Sequence, residues 1–311
     1  MSISNRYEEI EYDVYVTPDG EEYDLDLGDD RILLSFEGWG AADIEWITQQ
    51  GPNQHGVTAI DYRLTPRTVQ YLYRSNSNSR LGYWQNRADL LDAIRPNRSP
   101  IGTLTPGQLL KYLPNGDVRA LDVFLGKGPS FSARDTATWD EYGFTESLRF
   151  LAFFPLVYDP EQDCYPFVLN ASNQLVFPMT FPFVLGATII NDTLDITYTG
   201  TWEAFPTIEI VGPLNVPTIL NTSTGKSIKL NYNVAGGQTV TISLGYGNKT
   251  VTDQDGTDLT GTVDNPSDLA TFTIQPHPIV AGGVNTLQVL GSGANSETGL
   301  NVGLYKTYYG I

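Results

Sequence analysis

The chain has very few of the residues on which nucleophilic catalysis and metal binding depend. Its 311 residues include one cysteine, Cys164, and two histidines, His55 and His277. A single cysteine cannot form an internal disulfide, and we expect Cys164 to be a small, partly buried apolar side chain. Both histidines lie in turn-forming segments, GPNQHG and PHP, which predicts solvated or structural roles for them.

Long apolar runs and the features of an export signal are also missing. The first ten residues, MSISNRYEEI, contain neither the basic nor the apolar region of a signal peptide. The longest apolar runs, at residues 150–157 and 175–185, are interrupted by prolines and stay below the roughly 18 residues of a membrane-spanning helix. We therefore expect a soluble protein that is synthesised in the cytoplasm and does not insert into membranes.

Positive charge is scarce, and the negative charge is concentrated at the start of the chain. The net charge is −18, and residues 1–30 contain eleven Asp and Glu residues against Arg6. Such a field disfavours binding to nucleic acids and anionic membranes. Seven arginines lie between Arg63 and Arg98. The acidic segment is either an ordinary solvated region or one that contacts the arginine-rich stretch of another copy.

No motif of phosphate, calcium or glycosidic chemistry is complete. The GKG at residues 126–128 lacks the spacing of a phosphate-binding loop, and the GSGANS run at 291–296 does not begin a helix. Asp253, Asp255 and Asp258 fit an Asp-Gly turn better than a calcium loop. No pair of carboxylates is distinguished by its setting. We expect no catalytic, cofactor-binding or metal-binding residues, and a protein that is not an enzyme.

Glycine, proline and tyrosine are abundant and predict short strands joined by many turns. The chain has 30 Gly, 19 Pro and 18 Tyr. Apolar and polar residues alternate from Ile228 to Val234 and again from Val240 to Tyr246, with a Gly-Gly turn between them. Similar runs at 207–211, 270–274, 286–290 and 300–305 predict a β-sandwich or jelly-roll-like domain at residues 200–311.

The first two thirds of the chain predict a second β-rich domain with one helix. Leu90, Leu91 and Ile94 recur at helical spacing with Trp84 and Arg87, and Pro96 ends the pattern. We place the domain boundary near residues 198–206, which gives domains at 1–199 and 200–311. Strands are predicted at residues 12–16, 31–36, 43–48, 57–64, 68–74, 109–113, 117–125, 146–154, 174–178 and 188–197.

Without catalytic residues, the chain is expected to work by assembling with other proteins. A carbohydrate-binding β-sandwich is the alternative function. Sugar-binding sandwiches stack an aromatic ring on a pyranose, and Trp202 is the tryptophan of the predicted C-terminal domain. Its setting, TGTWEAFP, is typical of the start of a strand, which favours a packing role. An adhesin or lectin-like module therefore stays as the alternative function.

In order along the chain, several segments resemble the distal tail protein family of long-tailed bacteriophages. They are ITQQGPNQHG, the helix and loop WQNRADLLDAIRPNRSPIGTL, the strand VRALDVFLGKGPSF, the aromatic run LRFLAFFPLVYD, the junction TYTGTWEAFPTIEIVGPL and the final YYGI. Members of this family form a ring between the tail tube and the tail tip. The resemblance covers most of the chain.

The resemblance implies a fold and a set of partners. It implies a homo-hexameric ring built by an N-terminal split-barrel or sandwich-like β domain with one flanking helix, and a galectin-like C-terminal β-sandwich. The partners would be other copies of the chain, the tail tube protein, the tail hub or tip protein and receptor-binding proteins, all at the tail tip of the virion and synthesised in the host cytoplasm. It implies no enzyme activity and no cofactor.

The same resemblance assigns roles to residues of the predicted helix. Trp84, Leu90, Leu91 and Ile94 would pack on the sheet. Three arginines would then be available for neighbouring subunits or other tail proteins: Arg87, Arg95 and Arg98. The acidic segment before Asp30 is our hypothetical counterpart to them on the next copy.

Overall fold

A computed structural model describes residues 11–26, 31–98, 104–131, 143–168 and 189–311. Contacts along the backbone divide the chain into two compact units, Met1–Pro160 with Tyr308–Ile311, and Glu161–Thr307. The second unit begins at Glu161 rather than at residue 200, because two strands before residue 200 pair with strands of the C-terminal sandwich. The described residues contain one α-helix and are otherwise mainly β, which confirms the predicted fold class.

In the part of the first unit that the structure describes, the chain forms ten short strands and the helix. Its elements are β1 Tyr12–Val16, β2 Glu22–Asp24, β3 Arg31–Glu37, β4 Ile44–Gln49, β5 Thr58–Leu64, β6 Arg67–Ser75, α1 Arg80–Ala93, β7 Gly107–Tyr112, β8 Val118–Lys127, β9 Phe144–Ala152 and β10 Val157–Tyr158. A short 3-10 turn at Pro96–Arg98 follows the helix.

Most of these strands form one antiparallel sheet with a buried inner face. The strand order is β2-β1-β7-β8-β9-β6-β3, so β3 lies at one edge. In β6, Val69, Tyr71 and Tyr73 are buried and alternate with more exposed neighbours, the period of two expected of a half-buried strand. They pack with Leu148 and Phe150 of β9 in the core of the unit. Strands β4 and β5 pair only with each other, as a separate hairpin.

Helix α1 packs through one end of its length. The Ser79 side chain caps its N-terminus by accepting a hydrogen bond from the backbone N–H of Gly82 at 3.1 Å. Leu90, Ala93 and the following Ile94 are buried. Trp84 and Leu91, predicted to pack on the sheet, are exposed instead. The prediction was wrong for them because the buried face of the helix is centred on Leu90 and Ala93, and residues 84 and 91 project about 100–120° away from Leu90 around the helix axis.

The second unit is a two-layer β-sandwich, as predicted. Its described strands are β11 Asp163–Val168, β12 Ile189–Thr197, β13 Thr207–Val211, β14 Leu214–Asn221, β15 Lys226–Lys229, β16 Asn233–Val234, β17 Thr239–Gly245, β18 Asn248–Asp253, β19 Val284–Ser292 and β20 Gly299–Leu304. The last strand of the chain, β21 Thr307–Tyr308, instead pairs with β10 in the sheet of the first unit. One sheet has the order β11-β20-β13-β17-β18, and the other β12-β19-β14-β15 with β16 beside β14.

The sandwich core is filled by alternating apolar residues of both sheets. Ile208 and Ile210 of β13 and Val240 and Ile242 of β17 are fully buried beside Phe272. Among the described residues, eighteen further buried apolar side chains complete this cluster, including Leu287 and Val289 of β19 and Leu300 and Val302 of β20. A core of this size supports the unit without a disulfide.

Some strands differ from the sequence predictions. The predicted strand at 270–274 is a turn, and only Ile274 makes a bridge, to Ala204. The predicted strand from Ile228 to Val234 is broken at residues 230–232, where Leu230 bridges Val263 instead. Strands β2, β11, β14 and β18 were not predicted, and the predicted strand at 174–178 lies outside the described residues.

No helix within the described ranges has both the length and the apolar composition needed to cross a membrane.

Candidate interaction surfaces

The β4–β5 hairpin carries an apolar face that nothing in the described part of its unit covers. Trp46 pairs with Tyr62, their rings are 5.7 Å apart, and Ile44 pairs with Leu64 beside them. Ile44, Trp46, Ile60 and Tyr62 are each 40–60% exposed. Isolated two-stranded hairpins are only marginally stable in water, and exposed apolar clusters of this kind mark interaction sites.

The other face of the hairpin is mainly polar, apart from Ile47. Arg63 donates a hydrogen bond from Nε to Glu45 across the strands at 2.8 Å, and both side chains are more than half exposed. Asp61 lies on the same face, opposite Ile47. An exposed ion pair of this kind adds little stability. The hairpin is therefore amphipathic, with its apolar side presented for contact.

Buried Arg67 anchors the root of the hairpin. The guanidinium group, on a residue only 4% exposed, donates to the backbone carbonyls of Gly38, Gly40, Pro155 and Tyr309 at 2.6–3.0 Å. Burial lowers the pKa of Arg67. Because Gly38 and Gly40 precede β4 and Arg67 follows β5, this one side chain fixes both ends of the hairpin.

Backbone and aromatic contacts complete the root. Gly38 has φ +104°, and a Cβ there would lie 2.2 Å from the Thr68 carbonyl oxygen. The indole of Trp39 donates to the hydroxyl of Tyr71 at 2.9 Å, and the Tyr309 hydroxyl donates to the carbonyl of Ala42 at 2.8 Å. The hairpin thus extends from a closely packed base.

A buried ionic cluster lies beside β3. Asp13 on β1 is 1% exposed and accepts a hydrogen bond from Lys111 of β7 at 3.3 Å. Lys111 also pairs with Glu11, and its ammonium group is 3.8 Å from the centre of the Phe36 ring. Burial raises the pKa of Asp13 to about 6, while Lys111 opposes that shift. A pocket of about 390 Å³ opens at this point between β1 and β3.

The arginines near α1 do not all face outwards. Arg98 is almost completely buried and forms ion pairs with Asp19, Glu21 and Asp92 at 2.7–2.8 Å. The expectation that Arg98 is available to neighbours was wrong, because part of the acidic leading segment neutralises it within the same chain. Arg95 also pairs with Asp92, at 3.1 Å, but both groups are half exposed.

The histidines and the cysteine considered for chemistry are exposed. His55 and His277 are exposed in turns. Cys164 is exposed as well, contrary to the partly buried position expected of it, because it faces outwards from the terminal strand β11. Trp202 is half buried at a bridge to Thr307.

The aspartates of the TDQDGTDLTG segment serve its turn. Asp253 accepts from the backbone N–H groups of Asp255 and Thr257, and Asp258 accepts from that of Thr260. Hydrogen bonds to backbone groups lower the pKa of Asp253, with the one from Thr257 contributing most. Within the described ranges, no three His, Cys, Asp or Glu side chains are grouped as metal ligands would be.

Comparison with known proteins gives a match within the second unit. The family model described as "Siphovirus-type tail component, C-terminal domain" matches residues 199–300. Residues 199–300 are similar to a siphovirus-type tail domain. No curated protein sequence matches it. The resemblance to phage distal tail proteins predicted from the sequence is confirmed by this match and by the shared fold described next.

Solved structures of tail proteins share the fold over nearly the whole chain. The SPP1 Dit (gp 19.1) protein, described as a paradigm of the hub adsorption apparatus in phages that infect Gram-positive bacteria, superimposes with a TM-score of 0.62 at 13% identity. The match covers 96% of this chain and 99% of that one. A chain of the phage P2 baseplate in its activated conformation with Ca gives 0.51 at 12% identity, covering 97% and 99%.

Sequence reasoning missed the feature that distinguishes the first unit. The alternation at 43–48 and 57–64 predicted two ordinary strands, whereas the structure places them in a hairpin whose apolar face is exposed. One residue of the sequence is connected with this feature. Arg67 is a charged residue directly after the second strand, and the structure buries its side chain among backbone carbonyls.

Proposed function

We propose that the chain is a distal tail protein whose copies form a closed hexameric ring joining the tail tube to the tail tip. The siphovirus-type domain and the fold shared with Dit support this reading. In this proposal the first unit forms the ring, and the chain works by binding rather than by catalysis. The protein is synthesised in the host cytoplasm and then becomes part of the virion.

The exposed β4–β5 hairpin is the main structural observation that supports the proposed ring. A closed ring uses heterologous contacts, in which two different patches of each copy meet. The apolar face of β4–β5 is one such patch. The hydrogen bonds of Arg67 at the base of the hairpin fix the position of this face, so it can bind a neighbouring copy. Fully burying a large apolar side chain contributes about 1.5–3 kcal/mol, and covering four side chains that are 40–60% exposed contributes part of that amount for each of them.

The edge strand β3 supplies the second patch. It ends the sheet order of the first unit, and its Leu34 and Phe36 are each more than two fifths exposed. An edge strand has backbone donors and acceptors available for another strand. The hairpin of one copy would cover β3 of the next, and repetition of this contact around an axis closes the ring.

The wider partners follow from the position of such a ring. One face would contact the tail tube protein and the other the tail hub or tip protein, with receptor-binding proteins at the periphery beside the sandwich unit. The net charge of −18 is consistent with partners that present basic surfaces and not with nucleic acid.

The test is the mass of the purified full chain and of a hairpin variant. Light scattering after gel filtration should give six times the subunit mass, and negative-stain images should show rings. The double variant Trp46→Ser, Ile60→Ser should give monomers with an unchanged melting temperature. Ile279→Ser, at an exposed apolar residue of the sandwich unit, is the control and should leave the ring intact. A wild-type monomer that binds glycans on an array would instead support the lectin alternative.

A further inference from the structure

Helix α1 presents a second apolar surface that is separate from the hairpin. Leu81, Trp84, Ala88 and Leu91 recur at intervals of three and four residues, so they form one stripe along the helix. All four are exposed, and the three large side chains are 44–69% exposed. The buried face of the helix, with Leu90 and Ala93, lies on the opposite side.

Arginines border this stripe on one side. Arg80 and Arg87 lie one position before Leu81 and Ala88, which puts both of them along the same edge. The Arg87 guanidinium is 3.9 Å from the centre of the Phe131 ring and 5.1 Å from that of Trp84. These ring contacts fix the arginine beside the stripe.

The charges along α1 are opposite to those that its dipole favours. The first turn contains no acidic residue and begins with Arg80, and the last turn contains no basic residue. Acidic groups stabilise the positive N-terminal end of a helix, so this end lacks that stabilisation within its own first turn. An acidic partner would supply it.

The stripe suits a second copy of the same helix less well than it suits an acidic partner. In an antiparallel pair centred on the stripe, Arg80 would lie opposite Asp92, a carboxylate that Arg95 and Arg98 already neutralise within the chain. In a parallel pair, both positive helix ends and both Arg80 side chains would be adjacent, and these like charges lower affinity.

We propose that the exposed face of α1 is the docking site for an acidic amphipathic helix of a different tail protein. Leucine-type side chains of that helix would cover the stripe, and its Glu or Asp side chains would pair with Arg80 and Arg87. The helices would run antiparallel, so that the negative end of the partner lies at the positive end of α1. This surface goes beyond the proposed ring, which uses the hairpin and β3.

Two synthetic helical peptides test the proposal on the full chain. Both carry leucine at every first and fourth heptad position, and they differ only in having Glu or Lys at the flanking positions. Fluorescence anisotropy should show the Glu peptide binding about tenfold more tightly than the Lys peptide. Arg80→Glu with Arg87→Glu should reverse that preference, and Leu81→Ser with Leu91→Ser should weaken binding of both peptides about tenfold or more.

The controls separate this surface from folding and from the ring. Melting by circular dichroism and mass by light scattering should not change in either double variant, because all four residues lie outside the buried core. Equal affinity for both peptides, no binding, or no effect of the charge reversal would each overturn the proposal. A changed mass of the protein alone would assign the face to a second copy and overturn it too.

Discussion

Asp13 shows how a single buried carboxyl group makes stability depend on pH. It is 1% exposed, with Lys111 at 3.3 Å and Glu11 and Tyr71 close enough to influence its charge. Burial outweighs the attraction of Lys111, and the pKa rises from 3.8 to about 6. A buried ion pair often fails to recover the cost of removing two charges from water.

Replacement of Asp13 by Asn should remove one contribution to the pH dependence of the free energy of unfolding. Because the folded state holds the proton more tightly, this carboxyl group stabilises the fold below pH 4 and loses that contribution as the pH rises through 6. The free energy of unfolding of the wild type minus that of Asp13→Asn should therefore fall by about 2–3 kcal/mol between pH 4 and pH 6. Urea unfolding of both proteins at several pH values measures this difference in the free energy of unfolding.

The exposed Asp255→Asn provides the comparison for that experiment. Its difference from the wild type should stay within about 0.5 kcal/mol over the same range, as is usual for surface substitutions. A difference for Asp13→Asn that grows with pH would mean that Lys111 stabilises the carboxylate more than burial destabilises it.

At the scale of elements, the start of the β4–β5 hairpin depends on one glycine. Gly38 has φ +104°, and an added Cβ would meet the Thr68 carbonyl oxygen at 2.2 Å and the Val69 Cα at 2.8 Å. Gly38→Ala should therefore lower the free energy of unfolding by about 2–4 kcal/mol, through backbone strain and overpacking together. It should also reduce ring formation, because it displaces the root of the hairpin.

Gly116→Ala isolates the backbone component of that loss. Gly116 has φ +85°, but nothing lies within 4 Å of its Cβ position. This variant should lose only about 1 kcal/mol in the same unfolding experiment and keep the oligomeric state of the wild type. Equal losses for the two variants would show that the close contact with β6 has no role.

The elements predictable from the sequence are those whose periodicity is decided locally. Strand β13 and most of β17 follow from alternation between apolar and polar residues, and α1 from its spacing and its Pro96 stop. Strand β14 was missed because a proline and a register shift near residues 215–218 interrupt its pattern. Segment 270–274 was assigned as a strand because apolar alternation cannot show whether a neighbouring strand is available to pair with it.

The candidate surfaces were less predictable for a related reason. A pattern shows which side of a strand or helix is apolar, but not whether the rest of the chain covers that side. Trp46 and Trp84 look like core residues in the sequence, and both are exposed. Their exposure follows from what neighbouring elements bury, and it becomes visible only when the pairing and packing of the whole unit are known.

At the scale of the whole molecule, each unit has a hydrophobic core of its own. Phe150 is fully buried in the core of the first unit, and Phe272 is fully buried in the sandwich core. The first cluster draws its buried residues from positions 15–157, and the second from positions 190–304. Two separate cores favour two cooperative unfolding steps over one.

Calorimetry of the full chain should therefore show two transitions, and a cavity in one core should move only one of them. Phe150→Ala and Phe272→Ala should each cost about 3–5 kcal/mol, which shifts the affected transition down by several degrees. Leu72→Ala, at a partly exposed residue of β6, is the control and should move neither transition by more than a degree or two. If both phenylalanine variants lowered the same single transition, the two cores would unfold as one cooperative unit.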